Sequence, residues 1–506
     1  MHAGRLAELL GRWSSGTDAL YLKLAGRLER LIERGEIPAD GQLPTERALA
    51  AELAISRNTA VAAYDVLRDH GLVERRRGSG TFVRRPPRPG RGVVGEFNPM
   101  FLHLLDPVPD LIDLTCAAPP QPAYLPEVVA GAAERVADFG IGYYPSGIPE
   151  LRQAIADRYT ADGVPTTAGQ VVVTSGAQQA ISLLTQLFLR PGDVVAAEEL
   201  TYPGALDAFR GSGARILGVP LTPDGASVAG LAEVVPRARM VYLVPAFHNP
   251  TGAVLPAASC RRVVALCEAH GVPLIDDHVL ADLALDGARP APLARYGPVI
   301  SVGSLSKLIW GGVRIGWIRA DERTAADLSR LKAVADLGTD VVAQAIGLGL
   351  FERLDSLRAQ RCRELRASRD QVVRDLRASL PSWEFRVPEG GQTLWVRLPG
   401  VDSRRFAQFA LRYGVALLEG TSLAAHESSG EHIRLPFTPT RDALSEAVRR
   451  LRKAWADFPG ANGAALALER DGGVREADGH ATFSAQRDDG PAGPGSPVRP
   501  RREHLR

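Results

Sequence analysis

Of the 60 basic side chains in this 506-residue chain, four are lysines, at positions 23, 307, 332 and 453, and the rest are arginines. Arginine stays protonated in proteins and cannot act as an amine nucleophile, so each lysine can be weighed singly. Lys307 closes the segment SVGSLSK, directly after an apolar run, and Arg314 follows seven residues later. A strand-end amine can form a Schiff base with a carbonyl, and Ser304, Ser306 and Arg314 offer hydroxyls and a guanidinium to a phosphate. The spacing therefore points to a phosphate-bearing carbonyl cofactor, although a lysine after a strand is also a common surface feature. Lys23, Lys332 and Lys453 lie in helical stretches where arginine would serve as well.

Three further segments lie in an order that favours the chemical reading. TSGAQQAI (174–181) follows an apolar strand and opens a helix, so the backbone N–H groups of Gly176 and Ala177 face outward as an anion site. HNPTG (248–252) puts Asn249 at the end of another strand, where ligands of open α/β sheets bind. LIDDHVLADL (274–283) ends a strand on Asp276 and Asp277, either of which can pair with a protonated ring nitrogen. Each segment alone is an ordinary turn or helix cap; together with Lys307 and Arg314 they form a specific combination.

The elements that must position these residues are legible as apolar runs: 171–174, 193–199, 214–221, 240–246, 272–277, 299–304 and 314–320. Continuous apolar strands alternating with helices predict an α/β fold with a mostly parallel sheet covered on both faces, over residues 110–456. Ahead of it, residues 19–84 read as short helices and a hairpin. One helix spans YLKLAGRLERLIERG with Leu24, Leu28, Leu31 and Ile32 on one face. A second starts at LPTERALAAELA, with Pro44 in its first turn and Glu46 at the positive end of its dipole. A third opens at Ser56, a good N-cap, and places Arg57, Asn58 and Thr59 in its first turn. The tight gap between the last two is a helix-turn-helix spacing, and that first turn is the part that reaches base edges. LVERRRGSGTFVRR then folds back around Gly78-Ser79-Gly80, with six arginines against one glutamate between residues 74 and 88. The 58 acidic residues nearly cancel the 60 basic ones overall, so any nucleic-acid surface must be local, and this basic stretch supplies it. Residues 85–109 have the Arg, Pro and Gly content of a linker. Residues 457–506, with eight glycines and five prolines, read as a disordered tail.

Residues 21–83, carrying LPTER, the SRNTA helix start and GSGTF, resemble the winged helix-turn-helix of the GntR superfamily. The resemblance implies double-stranded DNA as partner, with Arg47, Arg57, Asn58, Thr59, Gly78 and Ser79 as contacts. Many members have an arginine where this chain has Val61. Residues 110–456 resemble the fold-type I, class I/II aminotransferase-like proteins, which bind pyridoxal 5'-phosphate (PLP) and have a smaller α+β C-terminal subdomain. By that resemblance Lys307 is the catalytic lysine that forms the aldimine. Ser304, Ser306, Arg314, Gly176 and Ala177 hold the phosphate, Asn249 bonds the ring hydroxyl and Tyr202 stacks on the ring. Asp277 matches the ring-nitrogen partner better than Asp276, because it keeps the spacing to Leu283. Arg434, in HIRLPF, matches the arginine that grips an effector or substrate carboxylate. Tyr143 or Tyr144 matches a residue that reaches the neighbouring subunit's phosphate. One departure matters: the family has a tyrosine three residues after the aspartate, and here that position is Leu280.

A winged helix followed by a linker and an aminotransferase-like domain is similar to the MocR-type regulators. That likeness implies a transcriptional regulator with an amino acid, an amine or PLP itself as effector, and a homodimer with exchanged DNA-binding heads. The alternatives are a true aminotransferase with a DNA-binding appendage, and a DNA-binding protein whose large domain serves only to dimerise. Leu280 weakens the case for efficient turnover, since holding a cofactor demands less than tuning its electronics. Cys116, Cys260, Cys267 and Cys362 form no CxxC pair and no Cys/His metal spacing, which argues against disulfides and any metal site. With no run of 18 apolar residues and no signal-peptide pattern, a cytoplasmic protein away from membranes is expected.

Overall fold

The computed structural model describes residues 1–11, 13–14, 19–33, 36–38, 40–76, 78–84, 110–136, 139–426 and 430–459. The expected linker, 85–109, and nearly all of the expected tail lie outside the described residues.

The chain opens with a helix that the sequence reading did not propose: α1 (Ala3–Leu10), whose first turn is capped by His2 Nδ1 accepting from Arg5 N at 3.2 Å. Eight residues are too few for a clear 3.6-residue period, yet Leu6, Leu9 and Leu10 are buried. α2 (Leu20–Glu33) buries Leu24, Leu28, Leu31 and Ile32, the face its spacing predicts. α3 (Glu46–Glu52) is capped by Thr45, whose hydroxyl accepts from Ala48 N at 3.2 Å. Pro44 therefore precedes the cap rather than sitting in the first turn, and its carbonyl accepts a 2.9 Å hydrogen bond from the buried Tyr64 hydroxyl of the next helix. That helix, α4 (Arg57–Asp69), starts after Ser56, whose Oγ accepts from Thr59 N at 3.1 Å. Strands β1 (Val73–Arg76) and β2 (Gly80–Val83) pair antiparallel as the wing.

The large domain holds a seven-stranded sheet: β3 (Val171–Thr174), β4 (Val194–Glu198), β5 (Arg215–Val219), β6 (Met240–Leu243), β7 (Leu274–Asp277), β8 (Ile300–Ser304) and β9 (Gly316–Arg319). All seven come from the apolar runs. Their spatial order is β3-β9-β8-β7-β6-β4-β5. β9 is antiparallel to both its neighbours, and the other pairings are parallel. Successive strand residues belong to different cores, with Val171 and Val173 in one and Val172 in the other, so the sheet is buried on both faces. Register brings Ser304 opposite Gly316, and Gly316 opposite Thr174, at one edge of the sheet.

Beyond it lies a four-stranded antiparallel sheet of β10 (Glu384–Phe385), β11 (Thr393–Arg397), β12 (Leu418–Glu419) and β13 (His432–Pro436), in the order β10-β11-β13-β12. Helices Ser403–Ala410 and Arg441–Asp457 pack with it through Trp383, Phe406, Trp455 and Phe458. Within this chain the winged-helix head contacts the C-terminal subdomain. Arg404 pairs with Glu8 at 3.0 Å and reaches Glu52 at 3.6 Å. Arg412 donates to the carbonyls of Leu53 and Ala54, the end of α3, where last-turn carbonyls have no intrahelical partner.

Candidate functional site

The C-terminal edge of the sheet gathers the residues singled out in the sequence. Lys307 follows β8, and its Nζ donates to the carbonyl of Ala117 at 2.7 Å. Burial lowers its pKa from the usual lysine value, which makes the free amine more accessible near neutral pH; the nearby Arg434 charge adds to this, while Cys116 and Asp277 act against it. Arg434, on β13, is 2% exposed. Its guanidinium donates to the carbonyl of Thr115 and lies 3.4 Å from Asn249 Oδ1. Its Nε has no partner among the described residues. Desolvation takes its pKa down to about 10. The buried guanidinium thus keeps one donor without a hydrogen-bond partner among the described residues.

Strand alternation separates the two aspartates. Asp277 accepts from the Tyr242 hydroxyl at 2.5 Å and from Val279 N at 3.2 Å. Burial raises its pKa to about 6, and the hydrogen bond from Tyr242 opposes that rise. Asp276 turns the other way, where its Oδ2 accepts from Leu293 N at 2.9 Å. Tyr202, half-buried, has its pKa raised by desolvation first and then by Asp277; Cys116, Arg434 and Arg314 lie within electrostatic reach of it. That single ring thus lies near Asp277, Arg434 and Arg314 together.

At the other end, Gly176 takes a left-handed φ of +95° ahead of the helix Ala177–Phe188, a conformation that glycine adopts without steric cost. A Cβ there would lie 3.1 Å from the Arg314 guanidinium, so the glycine also permits close approach. Arg314 donates to the Ser175 carbonyl. Ser304 Oγ donates to Ile315 O at 3.0 Å, accepts from Ser306 N at 3.1 Å and lies 3.1 Å from Ser306 Oγ. The opening N–H groups of the helix, the two serines and the guanidinium form a polar cup of the kind that favours an anion. Leu280 is partly buried against the main core, and no phenol stands at that position. Tyr143 and Tyr144 lie on a separate loop: Tyr143 is 63% exposed, while the Tyr144 hydroxyl donates to Phe139 O at 3.3 Å.

The sequence reading missed Tyr242, although a tyrosine within the aliphatic run MVYLVPA was a visible signal. It also missed the carbonyls of Thr115 and Ala117, which no side-chain pattern reveals.

The head forms the second candidate site. Arg47, Arg57, Asn58, Gly78 and Ser79 are exposed. Thr59 is half-buried, its hydroxyl 2.8 Å from Ser56 Oγ. The wing tip is braced by Gln42, which donates to Ser79 O at 2.6 Å. Arg75 pairs with Glu46 at 3.1 Å, Arg76 with Glu74 at 2.7 Å and Arg84 with Glu74 at 3.2 Å, so DNA phosphates must compete with carboxylates for these guanidinia.

Fold and recess together define a large domain of the PLP-dependent transferase type carrying a winged-helix head. Residues 109–451 match aminotransferase class I and II, and residues 20–83 match the bacterial regulatory proteins of the gntR family. The chain belongs to the aminotransferase class I and II family, joined here to a gntR-type DNA-binding domain. It is 26% identical to the HTH-type transcriptional regulator YdfD of Bacillus subtilis, over 82% of this chain and 92% of that protein. It is 28% identical to the probable rhizopine catabolism regulatory protein MocR of Rhizobium meliloti, over 72% of this chain and 78% of that one. Among solved structures it is similar to the α-aminoadipate aminotransferase LysN of Thermus thermophilus, complexed with N-(5'-phosphopyridoxyl)-L-leucine. That match has a TM-score of 0.66 and 28% identity, covering 73% of this chain and 95% of LysN. The architecture is the MocR-type one, and an aminotransferase class I and II domain implies PLP as cofactor. No helix among the described residues is long and apolar enough to cross a membrane.

Proposed function

We propose that this protein is a cytoplasmic, DNA-binding transcriptional regulator whose aminotransferase-like domain senses PLP or an amino compound. The observation that carries this reading is the join between the two sites. The head rests on the subdomain whose strand β13 bears Arg434, and Arg434 pairs in register with Leu418, next to Glu419. A ligand shifts an equilibrium only through unequal affinity for two states. A carboxylate on Arg434 would supply such a difference one strand in from β12, whose Glu419 lines a cavity together with Glu8 of the head and Arg404.

Bound PLP supplies an electrophilic carbonyl and an electron-withdrawing ring. Around it, Lys307 would offer an amine of lowered pKa and Asp277 would hold a proton at the ring nitrogen. Asn249 would bind the ring hydroxyl, Tyr202 would stack on the ring, and the Gly176–Ala177 turn with Ser304, Ser306 and Arg314 would hold the phosphate. Arg434 would orient an effector carboxylate. With Leu280 in place of a phenol, the chain binds and reports more readily than it turns over.

A homodimer is part of the proposal. Ile141, Tyr143, Val334, Leu337 and Val342 are exposed by 86, 63, 91, 51 and 45%, and a Cβ at Gly338 would come within 2.5 Å of Tyr144 O, so these segments are neighbours. Such a patch beside the phosphate cup supports a second copy there, with Tyr143, whose loop is exposed, reaching the partner's cofactor. Head exchange between subunits would seat the partner's head where this chain's own head now rests. A disulfide between Glu8→Cys and Arg404→Cys separates the two: exchange gives a covalent dimer, and the arrangement seen here gives an intrachain link.

The test of function is binding of the purified full chain to its own promoter region, with PLP and a panel of amino compounds. Ligand-dependent affinity is expected. Steady amino-group turnover at an enzyme-like rate, with DNA binding indifferent to every ligand, would instead establish the aminotransferase alternative.

A further inference from the structure

Lys332, which the sequence marked as replaceable by arginine, is fully buried on the helix Glu322–Asp336. Its Nζ donates to Asp336 Oδ2 at 2.6 Å and to Gln179 Oε1 at 2.9 Å. Gln179 Nε2 in turn donates to Asp336 Oδ2 at 2.6 Å. The amide of Gln179 is therefore fixed in one orientation, with its oxygen toward the ammonium and its nitrogen toward the carboxylate. That same Oε1 accepts from Ser175 N at 2.8 Å. Ser175 is thus gripped on both sides, its N–H by Gln179 and its carbonyl by Arg314. The chain then turns through Gly176 and presents the first N–H groups of the helix Ala177–Phe188. Asp336 also accepts from Gly338 N at 2.9 Å, which ties the end of its helix to the segment beside Tyr144. A compact ammonium reaches two acceptors in this confined space, whereas a planar guanidinium demands a wider fork.

We propose that Lys332, acting with Gln179 and Asp336, is a positioning residue for the phosphate end of the cofactor site. It holds the Ser175–Gly176 turn in the orientation that offers backbone N–H groups to a phosphate, without touching the cofactor itself. The inference rests on the PLP reading above and gives a role to three residues that had none, Gln179 within TSGAQQAI and Lys332 and Asp336 outside it.

The experiment measures dissociation constants of PLP and of pyridoxal, which lacks the phosphate, by absorbance titration of the full chain. Gln179→Leu removes the bridge while leaving the Lys332–Asp336 pair intact, and Lys332→Met removes the ammonium. In each variant PLP affinity should fall about tenfold, the size of one lost hydrogen bond to a positioned group, while pyridoxal affinity stays within about twofold. If Lys332→Met does not fold, Gln179→Leu decides the matter. Unchanged PLP affinity in Gln179→Leu, or a parallel loss for PLP and pyridoxal, overturns the proposal. Failure of the cofactor reading itself is seen separately, as absence of PLP binding by the unsubstituted protein.

Discussion

Arg434→Met is expected to make the unliganded protein more stable and deaf to carboxylates. Arg434 is 2% exposed, and desolvation takes its pKa from 12.5 to about 10. At neutral pH it remains charged, so keeping that charge inside costs roughly 3 kcal/mol relative to the unfolded chain, at about 1.4 kcal/mol per pKa unit. Its contacts with Thr115 O and Asn249 Oδ1 return about 1 kcal/mol each. Methionine is flexible and of similar reach, so it fills the space without the charge. Removing a buried charge in favour of an apolar side chain is often stabilising. The net expectation is a gain of about 1–2 kcal/mol in denaturant unfolding. The same substitution should abolish any DNA response to amino acids while sparing the response to PLP and to amines that lack a carboxylate. A variant clearly less stable than the parent, or one that still responds to carboxylates, would show that the guanidinium is a structural tie and not a ligand position.

Replacing Arg57 by alanine should weaken operator binding and lower the salt slope by about one, with the cofactor spectrum unchanged; normal operator affinity removes Arg57 from the contacts. Glu198 is fully buried, and desolvation raises its pKa to about 8 from 4.5. The native carboxyl therefore keeps its proton to higher pH than the unfolded one, and stability falls as pH rises from 4.5 to 8. Glu198→Gln should flatten that decline by an amount on the order of 3 kcal/mol, read from unfolding curves at pH 5 and pH 9; an unaltered slope refutes the assignment.

Much of the site was legible because its chemistry is carried by side chains at strand ends. Lys307, Asp277 and Asn249 stand close in space for the reason they stood out in sequence, since each ends or follows a strand at one edge of the large sheet, whereas Arg434, matched by the resemblance, comes from β13 of the four-stranded sheet. The choice of Asp277 over Asp276 rested on spacing, and strand alternation now separates them physically, one toward Tyr242 and the other toward Leu293 N. What escaped notice depended on three-dimensional neighbours. Lys332 looked interchangeable because a helix period says nothing about which face meets Gln179. The ion pairs of Arg75, Arg76 and Arg84 escaped a count of charges, since their partners include Glu46, 29 residues from Arg75. α1 was too short to show a period, and Pro44 was misplaced by two residues because Thr45 is the stronger cap.

The most direct test of the regulator reading is a PLP titration of operator binding, followed by both DNA mobility and visible absorbance, in the parent protein and in Lys307→Ala. In the parent, operator affinity should change over the same PLP concentrations that build the absorbance. In Lys307→Ala the absorbance should be absent and operator binding should persist, now indifferent to PLP. An unchanged spectrum in Lys307→Ala, or an operator affinity that PLP never alters in the parent, contradicts it.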